Sequence, residues 1–140
     1  MIWRKPVDIN ELNGLHDNTL QRHLGIEFIE IGDDYIKATM PMDHRTRQPM
    51  GLLHGGASLA LAESLGSVAS VLCVDISQKI VVGLEINANH IKSVREGIVT
   101  GITRPIHLGR STQVWEIKIY NQADQLICIS RITNAILDIK

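Results

Sequence analysis

The stretch Leu53-His54-Gly55-Gly56-Ala57-Ser58-Leu59-Ala60-Leu61-Ala62-Glu63-Ser64-Leu65-Gly66-Ser67-Val68-Ala69-Ser70 decides how this chain folds. Its small and apolar residues predict a helix from about Gly55 to about Cys73, and they surround the axis too completely for an outer helix. Such a helix belongs inside a sheet that wraps it. Glu63 stands alone there: from Gly51 to Val74 there is no other acid, no lysine and no arginine. A lone buried carboxylate is costly unless paired or protonated, and desolvation pushes a carboxyl toward the range of a general base. The glycine pair opens the helix where unbonded N–H groups gather and the helix dipole is positive. A donor-rich helix start with a half-buried acid two turns along it suits acyl chemistry. The plain alternative is an acid that reaches water at one rim of the helix.

Upstream, residues 8–23 read as short helix, with Ile9, Leu12 and Leu15 on one face and Asp17 or Asn18 capping a second set of turns. From Gly25 the period changes. Ile26, Phe28, Ile29 and Ile31 form a strand, Gly32-Asp33-Asp34 a turn, and Tyr35 to Met42 a second strand, together a hairpin. Residues 43–53 are a polar loop that delivers the chain to the helix. Four strands are expected after it, at about 79–90, 97–107, 111–121 and 126–138. Alternation is clearest where Trp115, Ile117 and Ile119 oppose Val114, Glu116 and Lys118. Consecutive strands with short connections pair antiparallel, so the expected class is α+β in a single domain over 1–140.

At 140 residues, 44% hydrophobic and 21% charged, the chain is long enough to bury a core. A net charge of -1 provides no field for nucleic acid or an acidic membrane, so anionic ligands must meet local basic clusters. Two cysteines, Cys73 and Cys128, without CxxC spacing, read as reduced thiols of a cytoplasmic protein. Met1 to Pro6 brings charge and then proline where a signal peptide has its apolar core, and Glu63 with several serines interrupts the helix as a membrane span. The histidines lack metal-ligand spacing near an acid, and neither a GxSxG elbow nor a P-loop occurs. The expectation is no metal, no cofactor, no nucleic acid and no membrane.

Four blocks in order carry a resemblance: Gln48-Pro49-Met50-Gly51-Leu52-Leu53-His54-Gly55-Gly56, Leu61-Ala62-Glu63-Ser64, Val82-Gly83-Leu84-Glu85-Ile86-Asn87-Ala88-Asn89-His90 and His107-Leu108-Gly109-Arg110. The chain resembles the hotdog-fold acyl-CoA thioesterases, nearest to the aryl-CoA type related to 4-hydroxybenzoyl-CoA and 1,4-dihydroxy-2-naphthoyl-CoA hydrolases. The resemblance implies an antiparallel sheet around one long helix and cofactor-free hydrolysis of an acyl-CoA to the acid and CoA. It makes Glu63 the nucleophile or the general base, with the two routes left open. The Gly55 N–H becomes the oxyanion donor, a role typically worth about 2.7–4 kcal/mol of barrier.

His54 and Gln48 would position the substrate, against the ordinary readings of a helix cap and a loop glutamine. Ser67, at i+4 from Glu63, shares its helix face and would bond the carboxylate or the attacking water; back-bonding to the helix is its ordinary alternative. The resemblance puts ligand contacts at Gly83, at His90, Ile91, Lys92 and Ser93, and at His107, Leu108, Gly109, Arg110, Ser111 and Thr112. Lys92, Arg95, Arg104 and Arg110 supply charge for the CoA phosphates. The segment Val74 to Ser77 is one residue longer than the family pattern, which affects only the later contacts.

A homodimer paired into a homotetramer is implied, with Glu63 of one subunit facing Gly55 of the other. The implied substrate carries a ring, such as the dihydroxynaphthoyl-CoA of menaquinone synthesis. Misloaded aryl groups on an acyl carrier protein are the alternative. A noncatalytic acyl-CoA-binding domain is the rival class, and Glu63 argues against it.

Overall fold

The structure, a computed structural model, describes all residues from Met1 to Lys140. Two short helices, α1 (Ile9–Gly14) and α2 (Leu20–His23), replace the one expected over 8–23. Asn18 between them adopts the left-handed region (φ 60), which stops helical propagation. Thr19 therefore caps α2, rather than Asp17 or Asn18, and Asp8 caps α1. The hairpin β1 (Glu27–Ile31) and β2 (Ile36–Pro41) forms as expected.

The central helix α3 (Gly55–Cys73) has the limits read from the sequence. Its buried residues include Ala57 and Ser58, Leu61 and Ala62, Leu65 and Gly66, and Ala69 and Ser70. Pairs recurring every four residues make one wide stripe. That stripe packs on β2 and on β3 (Lys79–His90), β4 (Ile98–Leu108), β5 (Thr112–Tyr120) and β6 (Leu126–Asp138). Although α3 has the length and apolarity of a membrane span, half of it is buried inside the protein.

The sheet runs β1-β2-β4-β5-β6-β3 with every pair antiparallel, which is the α+β hotdog arrangement. One expectation fails: β3 and β4 are consecutive but do not pair. Both ladders of β4 are occupied by β2 and β5, so β3 completes the sheet on β6 and becomes a free edge. Trp3, from the segment before α1, closes the core by stacking on Trp115 (centroids 6.2 Å apart, planes at 7°), and its Nε1–H donates to the Gly32 carbonyl at 2.7 Å.

Candidate functional site

The start of α3 is built around His54, whose backbone stays extended (φ -66, ψ 132) while its Nδ1 accepts the Gly56 N–H at 2.7 Å. Accepting at Nδ1 puts the ring proton on Nε2, which is then free to donate. The helix-cap alternative for His54 is thus realised without using up the ring. The Gly55 N–H donates to no group of the chain, which leaves it for a ligand at the positive helix end.

The His90 ring, from the last residue of β3, lies over Gly55 so closely that a Cβ there would stand 2.9 Å from Nε2. Gln48, Gly55, His90, Ile91, Lys92 and Ser93 line one pocket of about 260 Å³. In the loop over 43–53, Gln48 Oε1 accepts the Met50 N–H, so its Nε2 is the atom left to donate. Thr46 holds this loop, its hydroxyl donating to the Pro41 carbonyl at 2.9 Å and accepting the Asp43 N–H at 3.1 Å.

Glu63 lies eight residues further along α3, about 12 Å of helix rise. Contrary to the half-buried acid expected, its side chain is exposed. Glu63 stands at the rim of the stripe to which Ser70 belongs, in an open pocket shared with Gly56 at the start of α3 and with Thr19, Leu20 and Gln21 at the start of α2. The carboxylate rests beside Gly83, where a Cβ would stand 3.2 Å from Oε1. A bulge between Gly83 and Glu85 interrupts the β3–β6 ladder at this point, a distortion often found beside active sites.

Ser67 does not bond Glu63; its back-bonding alternative is taken up instead by Ser64, whose hydroxyl donates to the Ala60 carbonyl at 2.7 Å. Ser67 lines both the Glu63 pocket and a larger cavity of about 680 Å³. Leu12, Leu15, Val68, Val71, Leu72 and Ile76 give that cavity its apolar wall. Leu12 and Leu15 were read from the sequence only as one face of a short helix and the other four not at all; the available signal was Val68 and Val71, apolar yet off the buried stripe.

The stretch His107 to Thr112 forms the β4–β5 turn, closed by the Gly109 N–H donating to the Thr112 carbonyl at 2.9 Å. Thr112 is opposite Ala135 and Gly83 is opposite Asn134, so this turn sits toward the Gly83 end of β3, away from His90. Nearby, Lys79 and, to a smaller degree, Arg110 hold the Asp138 carboxyl below its ordinary value. The predicted residues thus separate into two groups. Gly55, Gln48 and His90 to Ser93 meet at one end, while Glu63, Ser67 and Gly83 meet at the other. Burial raises the thiols of Cys73, to about 11, and of Cys128, so neither is an activated nucleophile.

Residues 50–128 match the family described as the thioesterase superfamily. The chain is 54% identical over 137 residues to the 1,4-dihydroxy-2-naphthoyl-CoA hydrolase of Escherichia coli, covering 98% of this chain and 100% of that one. It is 50% identical over 137 residues to the proofreading thioesterase EntH of Cronobacter turicensis, covering 98% and 99%. Among solved structures, a mutant of thioesterase PA1618 from Pseudomonas aeruginosa superposes with a TM-score of 0.98 at 49% identity, over 99% of this chain and 100% of that one.

Proposed function

The chain belongs to the thioesterase superfamily and is a thioester hydrolase, and from that premise we propose that it cleaves an aromatic acyl-CoA of the 1,4-dihydroxy-2-naphthoyl type at a site shared by two subunits. The observation that carries this reading is the division of one chain into two half-sites, a free Gly55 N–H at one end of β3 and the Glu63 carboxylate at the other. β3 is a twelve-residue edge carrying exposed Ile80, Val82 and Leu84, the kind of edge that pairing protects. An isologous antiparallel ladder of β3 on itself brings the end that carries Gly83 alongside the end that carries His90 of the partner subunit. Glu63 then faces Gly55 of the partner subunit, and pairing withdraws the carboxylate from water.

In the completed site the Gly55 N–H, with His54 Nε2–H and Gln48 Nε2, donates to the thioester oxygen as it gains charge. Glu63 adds to the carbonyl carbon or takes a proton from the water that does. Either route breaks the carbon–sulfur bond, releases CoA as thiolate and ends in the free acid. Ser67 lines the cavity of about 680 Å³, whose apolar wall accommodates a ring-bearing acyl group. Lys92 and the turn from His107 to Thr112, Arg110 foremost, meet the CoA phosphates.

The 54% identity to the Escherichia coli hydrolase supports the naphthoyl substrate, and with it a place in menaquinone synthesis. The assembly is a dimer paired into a tetramer of single domains over 1–140, working in the cytoplasm with Cys73 and Cys128 as free thiols. A second reading, clearance of aryl groups misloaded on a carrier protein, is favoured by the 50% identity to EntH.

Thiol release from a panel of aromatic and straight-chain CoA esters tests the proposal. Aryl-CoA is expected to turn over fastest, and Glu63→Ala to lower kcat by about 10²–10⁴ with the fold unchanged. Parental kcat in Glu63→Ala overturns the site. Release only from an aryl-loaded carrier, insensitive to Arg110→Ala, selects the second reading.

A further inference from the structure

Asn134 and Ser70 are fully buried, yet neither belongs to either half-site. A core strand position with no exposed surface is ordinarily aliphatic, because a buried amide must recover its lost hydrogen bonds to water. Asn134, on β6, directs its Nδ2 at α3, donating to Ser70 Oγ at 2.8 Å and to the Gly66 carbonyl at 3.3 Å. From the next strand, Trp115 Nε1 donates to the same Ser70 Oγ at 2.8 Å. Two neighbouring strands therefore grip one hydroxyl of the central helix. Gly66 allows the helix to come this close, since a Cβ there would collide with Ile132.

The position of this grip relative to Glu63 gives it a function. Ser70 follows Glu63 by seven residues, two helical turns on the same face. Asn134 is the ladder partner of Gly83, the residue against which Glu63 rests. A Cβ on Gly83 would stand 3.2 Å from Glu63 Oε1 and 3.8 Å from Asn134 Oδ1. The same amide thus fixes the helix on one side and flanks the seat of the carboxylate on the other.

Asn134 Oδ1 has no hydrogen-bond partner. An amide kept in an apolar core with one end unsatisfied is not explained by stability, since an aliphatic residue of similar volume avoids that penalty. Its N–H bonds set how α3 sits along its axis against β6.

We propose that Asn134 and Ser70 are positioning residues for thioester hydrolysis: they clamp α3 so that Glu63 meets the thioester carbonyl at attack distance. The inference rests on Glu63 acting as proposed above. Neither residue touches substrate, so substrate binding is unaffected and the loss falls on the chemical step, where a misplacement of about 1 Å costs about a hundredfold.

The test compares the parent, Ser70→Ala, Asn134→Leu and the double variant with an aryl-CoA ester, each checked by circular dichroism and melting. Ser70→Ala puts a strong helix former into a helix and keeps the test valid should Asn134→Leu fail to fold. Each single variant is expected to lower kcat about ten- to a hundredfold with KM within about threefold. The double variant, with both partners apolar, is expected to melt no lower than Ser70→Ala while losing no more kcat than the worse single variant. Folded variants with parental kcat overturn the clamp, as does a loss carried by KM alone. If the parent hydrolyses the ester but Glu63→Ala does so equally well, the reading beneath the clamp fails, and the clamp with it.

Discussion

At the scale of single residues, two glycines leave room for a side chain of the site, and each yields an expectation. Gly83→Ala places a methyl 3.2 Å from Glu63 Oε1, so the carboxylate must shift. Steady-state kinetics on an aryl-CoA are expected to show kcat falling about tenfold or more with little change in melting temperature. Gly55→Ala drives a methyl to 2.9 Å from the His90 ring, and displacing that ring is expected to lower kcat through the oxyanion donor by up to a hundredfold or more.

The same scale shows how far the sequence could be read. His54 as a helix cap and Gln48 as a loop residue were legible because capping and turn chemistry are local: His54 accepts the Gly56 N–H and Gln48 the Met50 N–H. The exposure of Glu63 was legible only as the alternative of an acid at the helix rim: an apolar helix sequence implies burial without saying whether the same chain supplies it. Asn134 carried almost no signal, since one polar residue in a strand usually faces water.

Among elements, α3 was legible in full because sixteen small or apolar residues after a glycine pair leave few alternatives. The placement of β3 was not, since pairing between distant strands depends on which ladders remain open once the others close. The loop over 43–53 carries a pH-dependent tie. Hydrogen bonds from Arg45 hold the Asp43 carboxyl at about 2, below its ordinary 3.8. A depressed value in the folded chain means the unfolded chain binds the extra proton between these limits. The contribution is whole above pH 3.8 and disappears as pH falls toward 2. Melting temperatures of the parent and Asp43→Asn are expected to differ slightly at pH 6 and to converge across that window. A constant gap would remove Asp43 from the tie.

For the whole molecule, the division into half-sites makes a prediction that no single-chain site could satisfy. Glu63→Ala and Gly55→Ala chains, each impaired as homodimers, are expected to regain activity when subunits are exchanged. Random pairing gives half heterodimers, each with one intact site of two, so recovery approaches about a quarter of parental activity. Mixtures no more active than their components would show that each chain completes its own site.

The stack of Trp3 on Trp115 has an optical consequence. These are the only two tryptophans of the chain, and near-parallel indoles 6.2 Å apart couple their transitions. The tryptophan bands of near-ultraviolet circular dichroism and the tryptophan emission therefore arise from one spot in the interior, where Trp115 also holds Ser70. Those signals follow the docking of the N-terminal segment and the seating of the central helix, and they stay silent as a thioester arrives at the subunit boundary.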